Sequence, residues 1–448
     1  MRKAITYSGI LLAMLFTSCQ KADNYLPGKD GKKEQWFEPS PYGMAYIPRG
    51  SFHMGPSDDE VHHFSSTKTV TTEAFWMDDT EITNNEYRQF VYWVRDSIAR
   101  KLLGDTYTDY VITENKYGTP LDEPIINWQE RIDWRDPDTR TALTDLYIPE
   151  AERLAFTREI DSRKLIYDYY WVDYNQAAAR RNSYNFETQK YEGSVVNQEG
   201  EIIPVTNRRS FLMHESVPVY PDTLVWIRDF TYSYNEPFTL KYFSHYAFDD
   251  YPVVGVSWKQ ANAFCNWRTG LKAFENKRIN ETPAHDFRLP TESEWEMGAR
   301  GGLQNTMYPW GDYYTRNDQG CFVANFKPLR GNYVADSPTT TTTMKTGEFD
   351  PNAYGLYDMA GNVAEWTSTA FFEAGYDVIS DLNPEIHYNA KNDDPPVMKR
   401  KVIRGGSWKD MAYFVRTSTR TFEYQDTTKS YIGFRCVRTS FRNDLQNR

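Results

Sequence analysis

Apolar side chains recur every third or fourth residue in one long stretch of the chain: Tyr87, Phe90, Val91, Val94, Ile98 and Leu102. That spacing lines them along one face of a helix. Thr83, followed three residues later by Glu86, supplies a capping box at its start, and Gly104 supplies the stop. Two more capping boxes predict two more helices. Ser257 with Gln260 begins one, with Ala261, Phe264 and Cys265 on a single face, directly after an apolar run over Pro252–Val256 that reads as a strand. Thr291 with Glu294 begins the other, immediately after Arg288-Leu289-Pro290. Alternating apolar positions around Pro48-Arg49-Gly50 predict a small hairpin over 44–55, and a further strand-like run over 74–82 leads into the first helix.

Beyond Gly301 the periodicity fades into Trp, Gly, Asn and Pro punctuation: YPWGD, ANFKP, PNAYGLYDMAGNVAEW, RGGSW and GFRC. Such a segment is held by turns and side-chain packing more than by long ladders, and the threonine run at 339–343 reads as a loop. Between Gly104 and about Asp249 the composition shifts to Tyr, Trp, Asp and Arg. This stretch reads as a large insertion, at about 105–249, with some strand and helix of its own. Its aromatic residues suit either packing onto the core or a protein contact surface.

The 448 residues include 40% hydrophobic and 16% aromatic side chains, enough for packed interiors in two domains or in one domain with a large insertion. A net charge of −11 without a basic stripe excludes a nucleic-acid backbone as partner. Arg2 and Lys3, an apolar run from Ala4 to Phe16, then Thr17-Ser18-Cys19 form a targeting segment. The run is too short to span a bilayer. An apolar residue, small residues and then cysteine resemble a lipobox. Residues 1–18 are then a lipoprotein signal peptide, Cys19 is the lipidated first residue of the mature chain, and an ordinary cleaved secretory peptide is the alternative. Gln20 after the cysteine, by analogy with bacterial sorting, favours the outer membrane and its periplasmic face. Residues 19–40 read as a polar tether, with Pro27, Gly28 and Gly31, ahead of a domain over 41–448. With Cys19 acylated, Cys265, Cys321 and Cys436 remain, one pair and one leftover in an oxidising compartment.

Eight motifs then add up: MAYIPRGSFHMG, EITNNEY, YPVVGVSW with AFCNW, FRLPTESEWEMGARGG, YPWGD, PNAYGLYDMAGNVAEWT, RGGSW and GFRC. In this order they resemble the formylglycine-generating-enzyme (sulfatase-modifying factor) family, over about residues 42–95 and 250–440. The resemblance implies an α+β, C-type-lectin-related fold with little regular secondary structure. The lipobox, the phrase FWMDDTEITNNEYRQFVYWVRDSIAR and the insertion resemble one branch, the GldK/PorK lipoproteins of gliding motility and type IX secretion. That likeness implies a non-catalytic structural subunit that forms a ring complex with a GldN/PorN-like periplasmic partner.

The family's oxidases bind copper through a cysteine pair just after the GGSY/W turn, and copper(I) demands soft thiolates. Here the corresponding segment, KDMAYFVRTSTR, presents Asp410, Met411, Tyr413 and Phe414 and holds no cysteine. Loss of the oxidase activity, and no copper, is the expectation. The resemblance also implies calcium, a hard cation taking six to eight oxygens. One candidate site uses Asp358, the carbonyls of Gly361 and Val363, and Glu365; another uses Asn325, the carbonyl of Phe326 and Asp336. Cys265 and Cys436 match positions often joined as a disulfide in the family, and closing a loop of about 170 residues is worth roughly 5 kcal/mol in the chain-entropy model. His62 and His63 beside Asp58, Asp59 and Glu60 read as an exposed loop. The rival functions are a surviving copper-dependent oxidase and a calcium-dependent carbohydrate binder, the latter prompted by Trp310, Trp366 and Trp408.

Overall fold

The three helices begin where their capping boxes place them. In the computed structural model, which describes residues 38–56, 67–115, 117–153, 157–328 and 342–441, they run over Asn84–Gly104, Trp258–Ile279 and Glu292–Arg300. At each start the cap hydroxyl of Thr83, Ser257 or Thr291 accepts from the third helical residue, whose side chain returns to the cap N–H. Two of the donors that a helix start leaves open are satisfied in this way. The described residues from Ser40 onward form one compact unit. The signal peptide, Cys19, the histidines of the DEVHHF loop and Asp336 lie outside the described residues. Among the described residues, no helix is long and apolar enough to cross a membrane.

The first two helices meet through aromatic rings. Tyr87 stacks on Phe264 with centroids 5.6 Å apart, Phe90 meets Trp267 at 5.2 Å, and Phe434 lies 5.4 Å from Phe264. All five rings are buried, and contacts of this kind add to the burial of their large areas. A three-stranded antiparallel sheet places Phe75–Asp78 between Met44–Ile47 and Val437–Thr439. A four-stranded sheet orders Thr421–Tyr424, Arg400–Arg404, Ala364–Ala370 and Ile432–Gly433, with its last pairing parallel.

Two strand expectations need correction. The residues expected to form a hairpin over 44–55 do not pair with each other. Met44–Ile47 joins Phe75–Asp78, and Gly50–Met54 joins Lys68–Thr72. Alternation fixes which face a strand buries but not which strand lies beside it. Here Ile47, Phe52 and Met54 all enter a core with Trp295 and Met297 of the third helix. The apolar run Pro252–Val256 is buried but forms no ladder. Gly255 has φ +74°, and a Cβ on it would come within 2.4 Å of the Asp222 carbonyl oxygen. Backbone bonds instead tie Val253 N–H to Ile82 O at 2.8 Å and Gly255 N–H to Lys429 O at 2.9 Å.

Residues 105–249 carry strands Ile166–Val172 and Leu212–Pro218, paired antiparallel along their whole length, together with smaller hairpins and short helical turns. Leu143, Leu146, Leu165, Tyr169, Val217 and Val219 join the same hydrophobic cluster as the two long helices. Tyr167 donates its hydroxyl to Asn266 Oδ1 at 3.0 Å. Other aromatic residues of the stretch, including Tyr170, Tyr174, Phe186, Tyr232 and Tyr234, stand exposed.

Candidate functional site

The segment opening with Gly405 and Gly406 turns sharply because both glycines have positive φ, +86° and +64°. A Cβ on Gly406 would lie 2.7 Å from the Phe414 carbonyl oxygen, a backbone atom that cannot swing aside. Only glycine tolerates both conditions. The turn then closes on itself. Ser407 Oγ donates to Asp410 Oδ2 at 2.6 Å, Asp410 N–H donates to Ser407 O at 2.9 Å, and Asp410 O accepts from Lys327 N–H at 2.9 Å. Asp410 is thus a structural acceptor that closes the turn. Met411 and Tyr413 are exposed, and Phe414 is half-buried. Among the described residues the free cysteines are Cys265, Cys321 and Cys436, all outside this turn.

Trp408 does not face solvent. It is 3% exposed, stacks on Trp226 with centroids 6.1 Å apart, and donates Nε1–H to Ser430 O at 3.4 Å. Trp366 is fully buried and donates to Val256 O at 3.1 Å. Trp310 lies flat on Tyr308 at 4.8 Å and donates to Tyr314 O. Two of the three tryptophans that prompted the carbohydrate reading are therefore core residues. Their spacing did not distinguish a stacking platform from a buried anchor.

Glu365 is committed elsewhere. Arg435 of the GFRC motif grips it bidentately, with both nitrogen–oxygen distances 2.7 Å, while Trp295 Nε1–H adds a third bond at 2.8 Å. The remaining guanidinium donors reach the carbonyls of Asp78, Asp79 and Tyr357. Arg435 thereby joins four separate segments at a point with no solvent exposure. Two carboxylates of TESEWE, Glu292 and Glu296, serve a second buried network. Glu296 pairs with Arg300 at 2.7 Å and with Arg404, and Glu292 pairs with Arg404 at 3.2 Å and with Arg420.

Of the expected calcium ligands among the described residues, Gly361 and Asn325 lie closer than their sequence separation suggests. A Cβ on Gly361 would lie 2.3 Å from the Asn325 carbonyl oxygen, and Asn362 N–H donates to that oxygen at 2.7 Å. The two candidate sites therefore adjoin. Asn362 also donates through Nδ2 to Glu81 Oε1 at 3.1 Å and accepts from Asn325 Nδ2 at 3.3 Å. Glu81, of the EITNNEY motif, was not singled out in the sequence. The carboxyls of Glu81 and Asp358 act on each other electrostatically. Burial, reinforced by the Asp358 carboxyl, pushes Glu81 well above the usual carboxylate range, and burial lifts Asp358 to about 6. Asp358 Oδ2 accepts from Gly347 N–H at 2.6 Å. Glu81 Oε2 and Asn325 Oδ1 are sealed from solvent without a donor. Such orphaned buried oxygens are costly, and hard oxygens of this kind fit calcium. Among the described residues no three His, Cys, Asp or Glu side chains converge as a metal cluster, so any ion here would draw on carbonyls and amides as well.

Cys265 and Cys436 face each other inside the main core, unbonded, with sulfurs 3.4 Å apart. A disulfide requires about 2.05 Å. The fold places the pair side by side, and Cys321 stands apart from them as a half-buried thiol.

Comparison with known proteins fits this architecture. The chain is 34% identical over 198 residues to the formylglycine-generating enzyme of Bos taurus, a match covering 42% of this chain and 44% of that protein. It is 33% identical over 197 residues to the inactive C-alpha-formylglycine-generating enzyme 2 of Mus musculus, covering 43% of this chain and 50% of that protein. The match thus spans about half the length of these curated relatives or less. The structure of PvdO from Pseudomonas aeruginosa superposes with a TM-score of 0.41 at 16% identity, over 89% of this chain and 94% of that one. The family profile covers residues 32–152 and 167–440, running through most of the stretch expected as an insertion. By that match the chain belongs to the sulfatase-modifying factor enzyme 1-like domain family.

Proposed function

We infer that this protein is a non-catalytic structural member of its family, anchored by lipid on Cys19 to the periplasmic face of the outer membrane. In this reading it is a subunit of type IX secretion and gliding machinery and builds a ring with a GldN/PorN-like partner. The observation that carries the non-catalytic part is the turn at 405–420, which keeps its glycines and replaces the copper-binding thiols by a Ser407–Asp410 hydrogen bond. Carboxylate and hydroxyl cannot substitute for soft thiolate toward copper(I). The lipobox and the likeness to the GldK/PorK branch support the location and assembly. The exposed aromatic residues within 105–249 supply a partner surface, since tyrosine and tryptophan are favoured anchors at interfaces.

Calcium is a structural component of the same reading. Asp358, Glu81, the carbonyls of Gly361 and Val363, and Asn325 with Phe326 and Asp336 would hold it, while Glu365 stays with Arg435. Bound there, the ion would balance the two carboxylates. After export, exchange with an external disulfide, which is reduced to its two thiols as the Cys265–Cys436 bond forms, would complete the core, requiring the cysteine sulfurs to close from 3.4 Å.

The test is gentle detergent extraction of the intact lipoprotein, affinity purification and imaging. A large ring containing a second periplasmic protein is expected, and a lone monomer would overturn the assembly reading. Incubation of the purified chain with copper, oxygen and a cysteine peptide should leave the peptide thiol intact. Conversion to an aldehyde would restore the oxidase.

A further inference from the structure

Cys265 and Cys436 touch, yet they stand in different surroundings. The helix Trp258–Ile279 turns one face, with Ala261, Phe264 and Trp267, into the main core. The neighbouring face, with Asn262, Cys265, Asn266 and Thr269, lines a cavity of about 570 Å³. Those four residues follow the spacing of three and four that sets side chains in one row of a helix. Cys265 thus stands at the boundary, with the Cys436 sulfur 3.4 Å away on the core side and the cavity on the other.

The cavity reaches solvent. Glu73, Tyr174, Asp286, Asn383 and His387 line it and are exposed, so they form its rim, while Cys265, 2% exposed, lies at depth. The electrostatic neighbours of the two thiols divide in the same way. Cys265 acts on the Tyr169 hydroxyl and on the Arg288 guanidinium, and both of these side chains line the cavity. Cys436 interacts with Asp78 and Arg268, neither of which lines it. Cys436 is 0% exposed, and its N–H donates to Asp78 Oδ2 at 2.9 Å. Burial pushes its thiol well above the ordinary range. Exchange with a disulfide needs both a thiolate and access, and Cys436 is poorly provided with either. A small molecule coming from solvent through the cavity meets Cys265 before Cys436.

We propose that this cavity admits a small disulfide to the folded chain, with Cys265 as the sulfur that is attacked or attacks first and Cys436 as the resolving thiol. A volume of this size accommodates a small molecule. Cys265 gives up its proton and bonds to one sulfur of the incoming disulfide, whose S–S bond breaks, and the other half leaves as a thiol. Cys436 then gives up its proton and bonds to the Cys265 sulfur, expelling the second half as a thiol. The incoming disulfide is reduced by two electrons, and the cysteine pair is oxidised by two. This order of events rests on the pairing of the two cysteines inferred above, and not on the ring.

The test uses the purified full chain, reduced and desalted, in native buffer. Brief exposure to a limiting amount of N-ethylmaleimide, then denaturation, blocking of the remaining thiols and peptide mass mapping, shows where the first label falls. Cys265 should be labelled about tenfold or more faster than Cys436, with half-buried Cys321 as the reference thiol. With hydroxyethyl disulfide, Cys436→Ser should accumulate a mixed disulfide on Cys265, whereas Cys265→Ser should form one on Cys436 at about a tenth of that rate or less. Asn262→Phe, which fills cavity space one turn before Cys265, should slow modification of Cys265 about fivefold. Equal labelling of the two cysteines in the unmodified chain, faster labelling of Cys436, or no labelling of either until urea unfolds the protein overturns the proposal, whether or not a variant folds. An unchanged Cys265 rate in folded Asn262→Phe overturns the cavity as the route. If Cys265 reacts first but the disulfide-treated unmodified chain maps without a Cys265–Cys436 link, the pairing fails and the entry at Cys265 stands.

Discussion

Replacing Arg435 by methionine tests whether the irregular C-terminal half is held together by one buried cation. The substitution keeps most of the side-chain length and removes the bidentate grip on Glu365 and the bonds to the Asp78, Asp79 and Tyr357 carbonyls. Glu365 retains Trp295 as donor. Removing one partner of a buried pair costs about 3–5 kcal/mol, because the other charge is left uncompensated. The Asp78 and Tyr357 carbonyls lose a donor at about 1 kcal/mol each, whereas Asp79 O keeps the Tyr357 N–H at 2.8 Å. A loss on the order of 5 kcal/mol is therefore expected. For a unit of roughly 400 residues, with an unfolding entropy near 2.1 cal/mol/K per residue, this corresponds to about 6 °C in melting temperature. Differential scanning calorimetry of the purified chain provides the measurement. Arg435→Met combined with Glu365→Leu should recover part of the loss, since an apolar replacement of both partners removes the stranded charge but leaves the Asp78 and Tyr357 carbonyls unanswered. If the single variant melts within about 1 °C of the parent, or the double variant is worse than the sum of its parts, this reasoning fails.

Calcium at about a hundred times its dissociation constant should raise the melting temperature by about 3 °C, from roughly 2.7 kcal/mol of linkage, and a chelator should reverse the effect. Asp358→Asn and Glu81→Gln should abolish the response, whereas Glu365→Gln should lower stability and keep it. Gly406→Ala should destabilise by on the order of 2 kcal/mol, read as a lower urea midpoint, because a Cβ at φ +64° would meet the Phe414 carbonyl. Lys401 is 1% exposed, and burial lowers its ammonium to about 7 against the opposing pull of Glu385 and Glu215. Its unfolded value is higher, so the folded state binds fewer protons and stability should rise as the pH goes from about 7 to 10. Urea midpoints across that window should flatten in Lys401→Met, and an unchanged slope would assign the pH dependence to other groups.

The helices were legible because each carries its instructions within a few residues. Thr83 with Glu86, Ser257 with Gln260 and Thr291 with Glu294 are local hydrogen-bonding devices, and each operates in the structure as its spacing implies. Strand partners were not legible, because alternation over 44–55 says nothing about what lies alongside. The candidate cation site was half legible. Asp358 and Gly361 stood out in YDMAGNVAEW, but Glu365 is held by Arg435 from a distant motif, and Glu81 arrives from the far end of the chain. Trp366 and Trp408 looked like surface candidates because a sequence shows a ring and not what covers it.

By itself the sequence determined the family, through eight motifs in order, and the missing thiols after Gly405-Gly406, because residue identity decides whether soft-metal chemistry is available. It also determined where the main helices begin. Only the tertiary structure decided which carboxylates are ion-paired, such as Glu365 with Arg435, and which act on one another, such as Glu81 and Asp358. The physical reason is range. Capping and turn chemistry act between neighbours in the chain, whereas burial, ion pairing and cavity shape depend on side chains that meet only after folding.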